Sequence, residues 1–439
     1  MNEQILKKFS IFKLFKERDV SISFESNIKV LVAENGYGKT TILNALYYVA
    51  TGNLFGLKKI EFESIEIIFN DGEKFDIKHS DLKLLEGAKD KGFYEHLKII
   101  LNEKDADDLL SDFFQMPAKQ FKACKSFKAA AKKSGFGESL LGSYLEKYIR
   151  TEDNAADQFK NNRVVSRIKA KMPKNILYLP TYRRVEIDLG IKNDDESEQT
   201  ENIHFGMKDV QDLISLRTQE ILSSSVEWFS KVNGQMLSQL AEGFSLDEEL
   251  KERIKKPDAV KIVLDRIGTN IDEDTKQKIP LLIESGEIFE GHDPLIYFIS
   301  NLVKVYAQQK DNDQALQRFT EVCNRYLGDK MIQYDEGKVS VKVVRRKNGR
   351  EVDMEALSSG EKQIISLFAK LYLQKRTDYA IFFDEPELSL SLEWQKTLLP
   401  DIINSNKCSF LFSTTHSPFI FANEFSKHTV DLAVYIKEL

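Results

Sequence analysis

Residues 33–41 (AENGYGKTT) have the composition of a phosphate-binding loop. Gly36 and Gly38 allow the backbone to turn its N–H groups toward phosphate oxygens. Lys39 adds a positive charge for the β- and γ-phosphates, and the Thr40 hydroxyl is a ligand type that Mg²⁺ accepts. We therefore expect ATP to be bound by consecutive loop residues, namely Asn35, Gly36, Tyr37, Gly38, Lys39, Thr40 and Thr41.

One position departs from the usual loop pattern, G-x-x-x-x-G-K-[ST]. The first glycine is replaced by Ala33, whose β-carbon disfavours a positive φ angle. The sequence therefore predicts an ordinary backbone angle where the chain begins this loop.

A pair of acids follows an apolar run at residues 381–383 (IFF), which is typical of a buried strand. We expect Asp384 to hold Mg²⁺ opposite Thr40. Glu385 is placed to polarise the attacking water as a general base. Glu387 is either a second acid of the site or a structural residue of the turn, and we favour the turn.

The string LSSGEKQ (357–363) stands just before an amphipathic helical pattern. A helix N-terminus with hydroxyl groups and a glycine N–H is a ready anion site. The same string also fits a plain capping box. The candidate ATP-binding residues of this second group are Ser358, Ser359, Gly360 and Glu361.

His416 follows an apolar strand pattern, within the string STTHSP (413–418). A lone histidine in this position is usually structural. Beside the other three strings, however, it becomes a candidate for contact with the γ-phosphate.

These candidate residues must be positioned by strands and helices that the sequence also indicates. A β-branched run leads into the phosphate-binding loop, and a helical pattern follows the loop as far as Gly52, a plausible C-cap. Residues 331–357 predict a β-hairpin with a turn at Asn348–Gly349 and a short return strand. Further strand patterns occur at 9–15, 20–24, 60–69, 75–79 and 175–179, and helical patterns at about 93–170 and 207–330.

Together, the four strings resemble the ATP-binding-cassette (ABC) class of ATPases, in its SMC, RecF and OLD-like branch. LSSGEKQ is similar to the LSGGQ-type signature, and STTHSP to the switch-histidine motif. The resemblance implies an α/β fold class: an ABC-type core of mixed sheet and antiparallel β-subdomain with large helical insertions. It also implies ATP and Mg²⁺ as cofactors, a homodimer that encloses ATP, and catalytic roles for Glu385 and His416.

The sequence departs from this branch at two places. Ser391 and Leu392 stand where relatives often carry His-Pro, which puts the dimer-contact loop in doubt. The string YLPTYRR has no glutamine where a Q-loop is expected. Arg183 or Arg184 could sense phosphate there, or could form a surface salt bridge.

The motifs divide the chain into alternating core and inserted segments. We predict a core N-lobe with the phosphate loop, a helical insertion, a core strand with the Q-loop-like segment, a second helical insertion, and a core C-lobe with the signature, the acid pair and the histidine. The boundaries are 1–92, 93–171, 172–190, 191–330 and 331–439.

A lysine stripe is the most unusual feature of the first insertion. Its members are separated by three or four residues, so a helix would present them on one side. A solvated helix face is the simpler interpretation, but such a stripe could also bind nucleic acid or an acidic protein. The residues are Lys119, Lys122, Lys125, Lys128 and Lys132.

Composition excludes several classes of protein. The net charge of −6 does not indicate nucleic-acid binding by the chain as a whole. No apolar run approaches the ~20 residues of a membrane span, and no secretion signal is evident. The cysteines (Cys124, Cys323, Cys408) lack metal-ligand spacing, so we expect reduced thiols and a cytoplasmic location.

The compact helical insertions resemble those of OLD-like ATPases in bacterial anti-phage systems, such as the AriA-type subunits of PARIS and the Septu ATPases. This resemblance implies an ATP-hydrolysing sensor or scaffold, as a homodimer or larger homo-oligomer, that controls a separate TOPRIM-like effector nuclease. An acidic phage protein is a candidate trigger.

Two alternatives remain open at this point. A RecF- or SMC-like DNA-repair ATPase would clamp duplex DNA through the lysine stripe. A transporter cassette is disfavoured, because the segment between Lys39 and Leu357 is far larger than in transporters and because a cassette needs a membrane partner.

Overall fold

The computed structural model describes residues 3–34, 36–80, 82, 101, 105–106, 109, 112, 121–122, 124–133, 137–149, 164–165, 167–180, 207–243 and 246–439. Three groups of predictions fall wholly or partly outside these residues. They concern the ligand Asn35, the arginines Arg183 and Arg184, and much of the first helical insertion, including Lys119.

The strands are β1 (Leu6–Leu14), β2 (Arg18–Ser23), β3 (Ile28–Val32), β4 (Ser64–Phe69), β5 (Lys74–Lys78), β6 (Asn175–Leu179), β7 (Lys330–Asp335), β8 (Ser340–Arg345), β9 (Tyr379–Asp384), β10 (Cys408–Thr415), β11 (Thr429–Asp431) and β12 (Ile436–Glu438). The α-helices are α1 (Lys39–Thr51), α2 (Leu54–Lys58), α3 (Lys125–Lys133), α4 (Glu138–Ile149), α5 (Lys208–Glu242), α6 (Glu248–Ile254), α7 (Pro257–Ile267), α8 (Glu273–Ser285), α9 (Asp293–Cys323), α10 (Ser359–Leu373) and α11 (Leu392–Asn404). Short 3₁₀ turns occur at Gly268–Asn270, Glu287–Phe289, Met354–Ala356, Pro418–Ile420, Glu424–His428 and Leu432–Tyr435.

The described chain divides into two compact units. Unit 1 comprises Met1–Arg183 and Arg376–Leu439, and unit 2 comprises Arg184–Lys375. The phosphate-binding loop, the acid pair and His416 belong to unit 1, whereas the LSSGEKQ string belongs to unit 2.

Unit 1 contains a parallel sheet in the order β11-β3-β10-β9-β6. Strands β3 and β9 are short, mostly apolar runs, and β9 is buried along its whole length. Parallel strands that are covered on both faces characteristically have this continuous apolar pattern. The predicted strands before the phosphate loop and before the acid pair are therefore confirmed.

A second, antiparallel sheet of unit 1 has the order β12-β2-β1-β4-β5. One buried cluster includes residues from this sheet, from α1 and from the parallel sheet, among them Phe9, Leu46 and Phe382. Helix α1 ends at Gly52, which has a φ of 77° and caps the helix as the sequence predicts.

Unit 2 is built on the long helices α5 and α9, which pack together. Arg217 of α5 is buried; it donates to the Asn312 side chain of α9 at 2.6 Å and to the Leu373 carbonyl of α10 at 2.7 Å. A separate apolar cluster around Val260, Ile296 and Ile299 joins α6, α7 and α8 to α9. The predicted helical character of residues 207–330 is confirmed.

The hairpin of unit 2 differs in detail from the prediction. Strands β7 and β8 pair antiparallel from Lys330–Arg345 to Asp335–Ser340, so the hairpin turn lies at residues 336–339. The turn expected at Asn348–Gly349 is present, but its return strand is only a single bridge between Val344 and Glu351. The period-two pattern was interpreted correctly, but the strand that pairs with it precedes it in the chain.

The fold class is confirmed as mixed α/β, with parallel and antiparallel sheets and large helical segments. The five domain boundaries stay a prediction. No helix in the described residues is both long and apolar enough to cross a membrane.

Candidate functional site

The register of the parallel sheet brings the predicted site residues of unit 1 to one edge. Val32, the last residue of β3, pairs with Thr415 of β10, and Thr414 pairs with Asp384 of β9. The carboxyl ends of parallel strands form the usual ligand-binding edge of such sheets. The phosphate loop, the acid pair and His416 all follow these strand ends.

The glycines of the phosphate loop adopt the left-handed backbone that their type permits. Gly36 has a φ of 91° and Gly38 a φ of 81°. A β-carbon at either position would meet no other atom within 4 Å, so the backbone angle alone requires glycine. Ala33 is not among the residues with positive φ, which confirms the ordinary angle predicted for it.

Lys39 is folded into the loop and is only 5% exposed. Its Nζ donates to the carbonyl oxygens of Ala33 at 2.7 Å and Glu34 at 3.2 Å. An ammonium group has three N–H donors, so one remains that could donate a hydrogen bond to a phosphate oxygen. Tyr37 and Thr40 lie exposed beside it, and Thr41 is half-buried.

A chain of hydrogen bonds joins the two residues that are predicted to bind Mg²⁺. The Thr40 hydroxyl donates to Asp384 Oδ2 at 2.7 Å, and the Thr414 hydroxyl donates to Asp384 Oδ1 at 2.5 Å. Mg²⁺ in nucleotide sites takes one or two carboxylates, and phosphates and waters complete its shell. The Thr40–Asp384 pair fits that ligand set. No cluster of three or more His, Cys, Asp or Glu side chains suited to a metal occurs in the described residues.

Glu385 has a strained backbone. Its φ is 46°, a left-handed conformation that is uncommon for a residue with a β-carbon, and its N–H donates to the Thr414 carbonyl at 2.8 Å. Its side chain is 17% exposed. Strained conformations of this kind cluster at functional sites, because the surrounding structure must hold them.

His416 contacts Glu387 more closely than Glu385. Its Nδ1 lies 2.9 Å from Glu387 Oε1 but 3.8 Å from Glu385 Oε1, and the second distance is too long for a hydrogen bond. Glu387 is 6% exposed. The sequence favoured a turn role for Glu387, and the structure shows that its carboxylate also contacts the candidate histidine.

Two polar residues that sequence analysis missed connect the loops after β9 and β10. The Ser417 hydroxyl donates to Gln395 Oε1 at 2.6 Å, and Gln395 Nε2 donates to the carbonyls of Glu387 and Leu390. Both side chains are buried. Only the apolar surroundings of Gln395 in α11 could have drawn attention to it.

Tyr178 of β6 is a further residue near the acid pair that was not predicted. Its hydroxyl donates to Asn44 Oδ1 of α1 at 2.6 Å, and its ring stacks on Tyr47 at 4.6 Å. Burial, with the Asp384 carboxylate as the next cause, raises the pKa of the Tyr178 hydroxyl well above its usual value. The phenol therefore remains a neutral hydrogen-bond donor.

The signature residues of unit 2 form the N-terminus of α10, with the capping box that the sequence allowed. Ser358 Oγ accepts from the Glu361 N–H at 3.3 Å, and the Glu361 carboxylate accepts from the Ser358 N–H at 2.7 Å. Lys330 Nζ lies 3.1 Å from the same carboxylate. Glu361 is thus satisfied within its own unit. Of the other predicted signature residues, Ser358 and Ser359 are exposed, whereas Gly360 is buried.

Lys330 is suited to neutralise Glu361. Burial lowers the pKa of Lys330, but hydrogen bonds to Asp329 and Glu361 outweigh burial, and the pKa is raised. A charged lysine cancels the carboxylate, which would otherwise repel an anion at this helix N-terminus.

The described members of the lysine stripe are exposed. They are Lys122, Lys125, Lys128 and Lys132, and the opposite face of α3 buries Phe127. Lys133 lies beside them and forms an ion pair with Asp105 at 2.5 Å.

Comparison with solved structures finds matches to SMC head domains. The Smc head domain with an extended coiled coil, bound to the C-terminal domain of ScpA, from Pyrococcus furiosus is 14% identical. It matches with a TM-score of 0.34 over 96% of this chain and 91% of its own. The Smc head domain with a coiled coil and joint from Pyrococcus yayanosii is 13% identical. It matches with a TM-score of 0.30 over 96% of this chain and 93% of its own.

No curated protein gives a significant sequence match. A protein-family model does match: the AAA_15 model, described as an AAA ATPase domain, covers residues 6–421. That span is most of the chain and includes the phosphate loop, the acid pair, the signature string and His416. The chain therefore belongs to the AAA_15 family of ATP-binding AAA ATPase domains.

Proposed function

We propose that the chain hydrolyses ATP with Mg²⁺, in a site that a second copy of the chain completes. One observation carries this proposal: β3, β9 and β10 bring Lys39, Thr40, Asp384, Glu385 and His416 to a single sheet edge. Each residue type matches one requirement of phosphoryl transfer to water.

The side chains divide the work as follows. Lys39 and the loop N–H groups would hold the phosphates, and Thr40 with Asp384 would hold Mg²⁺, which when bound neutralises developing charge. The Glu385 carboxylate would accept a proton from the attacking water, and its side chain is not hydrogen-bonded to His416. His416 would contact the γ-phosphate.

The second copy is proposed because the signature residues need a phosphate partner. Ser358 and Ser359 are exposed at the N-terminus of α10, in the other compact unit from Lys39. In the ABC class that the motifs resemble, this element closes on the phosphate loop of the partner. We infer the same homodimer here, with a larger homo-oligomer as an open extension.

Two substitutions test the hydrolytic site. Glu385→Gln should keep ATP binding, cut the turnover rate about 10²–10⁴-fold because the general base is lost, and accumulate an ATP-dependent dimer in light scattering. Lys39→Ala should weaken ATP binding itself. Glu393→Gln, a surface change on α11, is the control. Unchanged hydrolysis in both site variants would refute the assignment.

A mixing experiment tests the shared site. Lys39→Ala damages the phosphate loop, and Gly360→Asp places a negative charge at the signature. If each site uses residues from two copies, an equimolar mixture contains mixed dimers with one intact site, and about one quarter of wild-type activity should return. A mixture as inactive as its components would show that each copy builds its site alone.

We further propose that this ATPase is the sensor or scaffold of an anti-phage system, and that it controls a separate effector nuclease. The support is the motif set and the compact helical unit 2, which resemble those of the OLD-like ATPases. Co-purification with the product of an adjacent gene that encodes a TOPRIM-like nuclease is the expected result. A solitary gene would count against this role.

The exposed lysines of α3 favour a second candidate, a RecF-like clamp on duplex DNA. It predicts DNA binding at about 50 mM salt that weakens steeply as salt rises, and a loss of binding when Lys125, Lys128 and Lys132 are changed to Gln. The absence of binding at low salt would eliminate this candidate.

A further inference from the structure

Glu387 is a buried acid in the turn after β9. Its side chain is 5% exposed, and its Oε1 accepts two backbone hydrogen bonds and lies close to one ring nitrogen. The three groups are the N–H of His416 at 2.9 Å, the N–H of Ser417 at 3.2 Å and the ring Nδ1 of His416 at 2.9 Å. Oε2 is buried, and no described residue gives it a partner.

The surrounding contacts hold Glu387 in place from both sides. The Leu390 N–H donates to its carbonyl at 3.1 Å, and Gln395 Nε2 donates to the same oxygen at 3.4 Å. Gln395 in turn accepts from the hydroxyl of Ser417, the residue after His416. The turn after β9 and the loop after β10 are therefore joined by one polar network that contains the carboxylate and the histidine backbone.

The 2.9 Å contact between Nδ1 of His416 and Oε1 of Glu387 restricts the state of the imidazole ring. A carboxylate that carries no proton can only accept, so a hydrogen bond in this contact requires the proton on Nδ1. In the neutral ring Nε2 then carries no proton. The ring can donate from Nε2 to a phosphate oxygen only after it gains a second proton.

We propose that Glu387 is the positioning residue of His416: it fixes the ring orientation and the Nδ1–H tautomer, and it leaves Glu385 unengaged by the histidine. This inference rests on the proposed hydrolytic function. Substitution of a residue that orients a functional side chain typically costs about 10–100-fold in activity.

A spectroscopic experiment tests the tautomer without any reference to catalysis. The chain has six histidines, so the His416 ring signals in a ¹⁵N-histidine spectrum can be assigned by their loss in His416→Ala. We expect the Nδ1–H tautomer in the nucleotide-free protein and its loss in Glu387→Ala. An Nε2–H tautomer in the wild type, or an unchanged ring in Glu387→Ala, would overturn the proposal.

A double-mutant cycle tests the catalytic consequence. Glu387→Ala should lower kcat about 10–100-fold with little change in ATP affinity, and the same substitution should cost less than about twofold when His416 is already alanine. Glu387→Gln keeps an oxygen that can accept from the same groups, so it should lower kcat less than Glu387→Ala does. Because it keeps these contacts, it also shows whether the loss in Glu387→Ala reflects misfolding. If Glu387→Ala lowered kcat equally in the wild type and in His416→Ala, the positioning role would be overturned.

The two proposals can fail separately. A wild-type protein that does not hydrolyse ATP refutes the proposed function but leaves the tautomer measurement valid. Hydrolysis that is lost in Glu385→Gln but insensitive to Glu387 refutes only the positioning role.

Discussion

Thr414→Val should destabilise unit 1 more than the same substitution at Thr415, a neighbouring and equally buried threonine. Thr414 is fully buried, and its hydroxyl donates at 2.5 Å to Asp384, which is itself 1% exposed. Valine preserves the shape and the strand preference. The substitution therefore removes little except one hydrogen bond to a buried carboxylate, which is worth about 1.5–3 kcal/mol.

Thr415→Val is the matched control. Thr415 is also fully buried in β10, but among the residues that the structure describes its hydroxyl forms hydrogen bonds only with the backbone of Ser417. Its loss should cost about 0.5–1.5 kcal/mol, because no charged partner is left unsatisfied. The difference between the two variants isolates the contribution of the carboxylate.

Urea unfolding followed by tryptophan fluorescence can assign the loss to unit 1. The chain has two tryptophans: Trp394 belongs to unit 1 and Trp228 to unit 2. In a Trp228→Phe background, Trp394 alone reports the transition. Equal free energies of unfolding for Thr414→Val and Thr415→Val would refute the view that Thr414 stabilises a buried charge.

Two further predictions concern buried groups elsewhere. Arg266→Met in unit 2 should lower the free energy of unfolding by about 3–5 kcal/mol, because it leaves the buried Asp313, 2.6 Å from the guanidinium, without its counter-charge. The double variant Arg266→Met/Asp313→Leu should recover most of this loss in urea unfolding monitored by Trp228. A double variant as unstable as the single one would contradict the ion-pair argument. Burial raises the pKa of the Cys408 thiol to about 12 and that of the Cys323 thiol well above its usual value, so at about pH 8 both are almost entirely in the unreactive thiol form. A disulfide reagent should therefore modify Cys124 first in the native protein. Equally fast labelling of all three cysteines would contradict this expectation.

Local patterns in the sequence were sufficient for the elements that carry the site. Apolar runs predicted β3, β9 and β10 because a strand covered on both faces needs no polar residue. Gly36 and Gly38 predicted a backbone that can turn its N–H groups toward phosphates, and the Ser358–Glu361 spacing allowed a capping box as one of two interpretations. These features depend on neighbours within a few residues, so a sequence can specify them directly.

Contacts between distant residues required the tertiary structure. Glu387 and His416 are separated by 29 residues, and only the adjacency of β9 and β10 places the carboxylate against the ring. The full-length partner of β8 is β7, which precedes it, and the expected return segment forms only the Val344–Glu351 bridge, because a period-two pattern does not say which neighbour it pairs with.

The sequence by itself thus determined which residues could do chemistry and which elements support them. The tertiary structure decided which acid lies nearer to the histidine, because strand register and burial determine the distance between side chains, and these depend on the packing of the whole sheet.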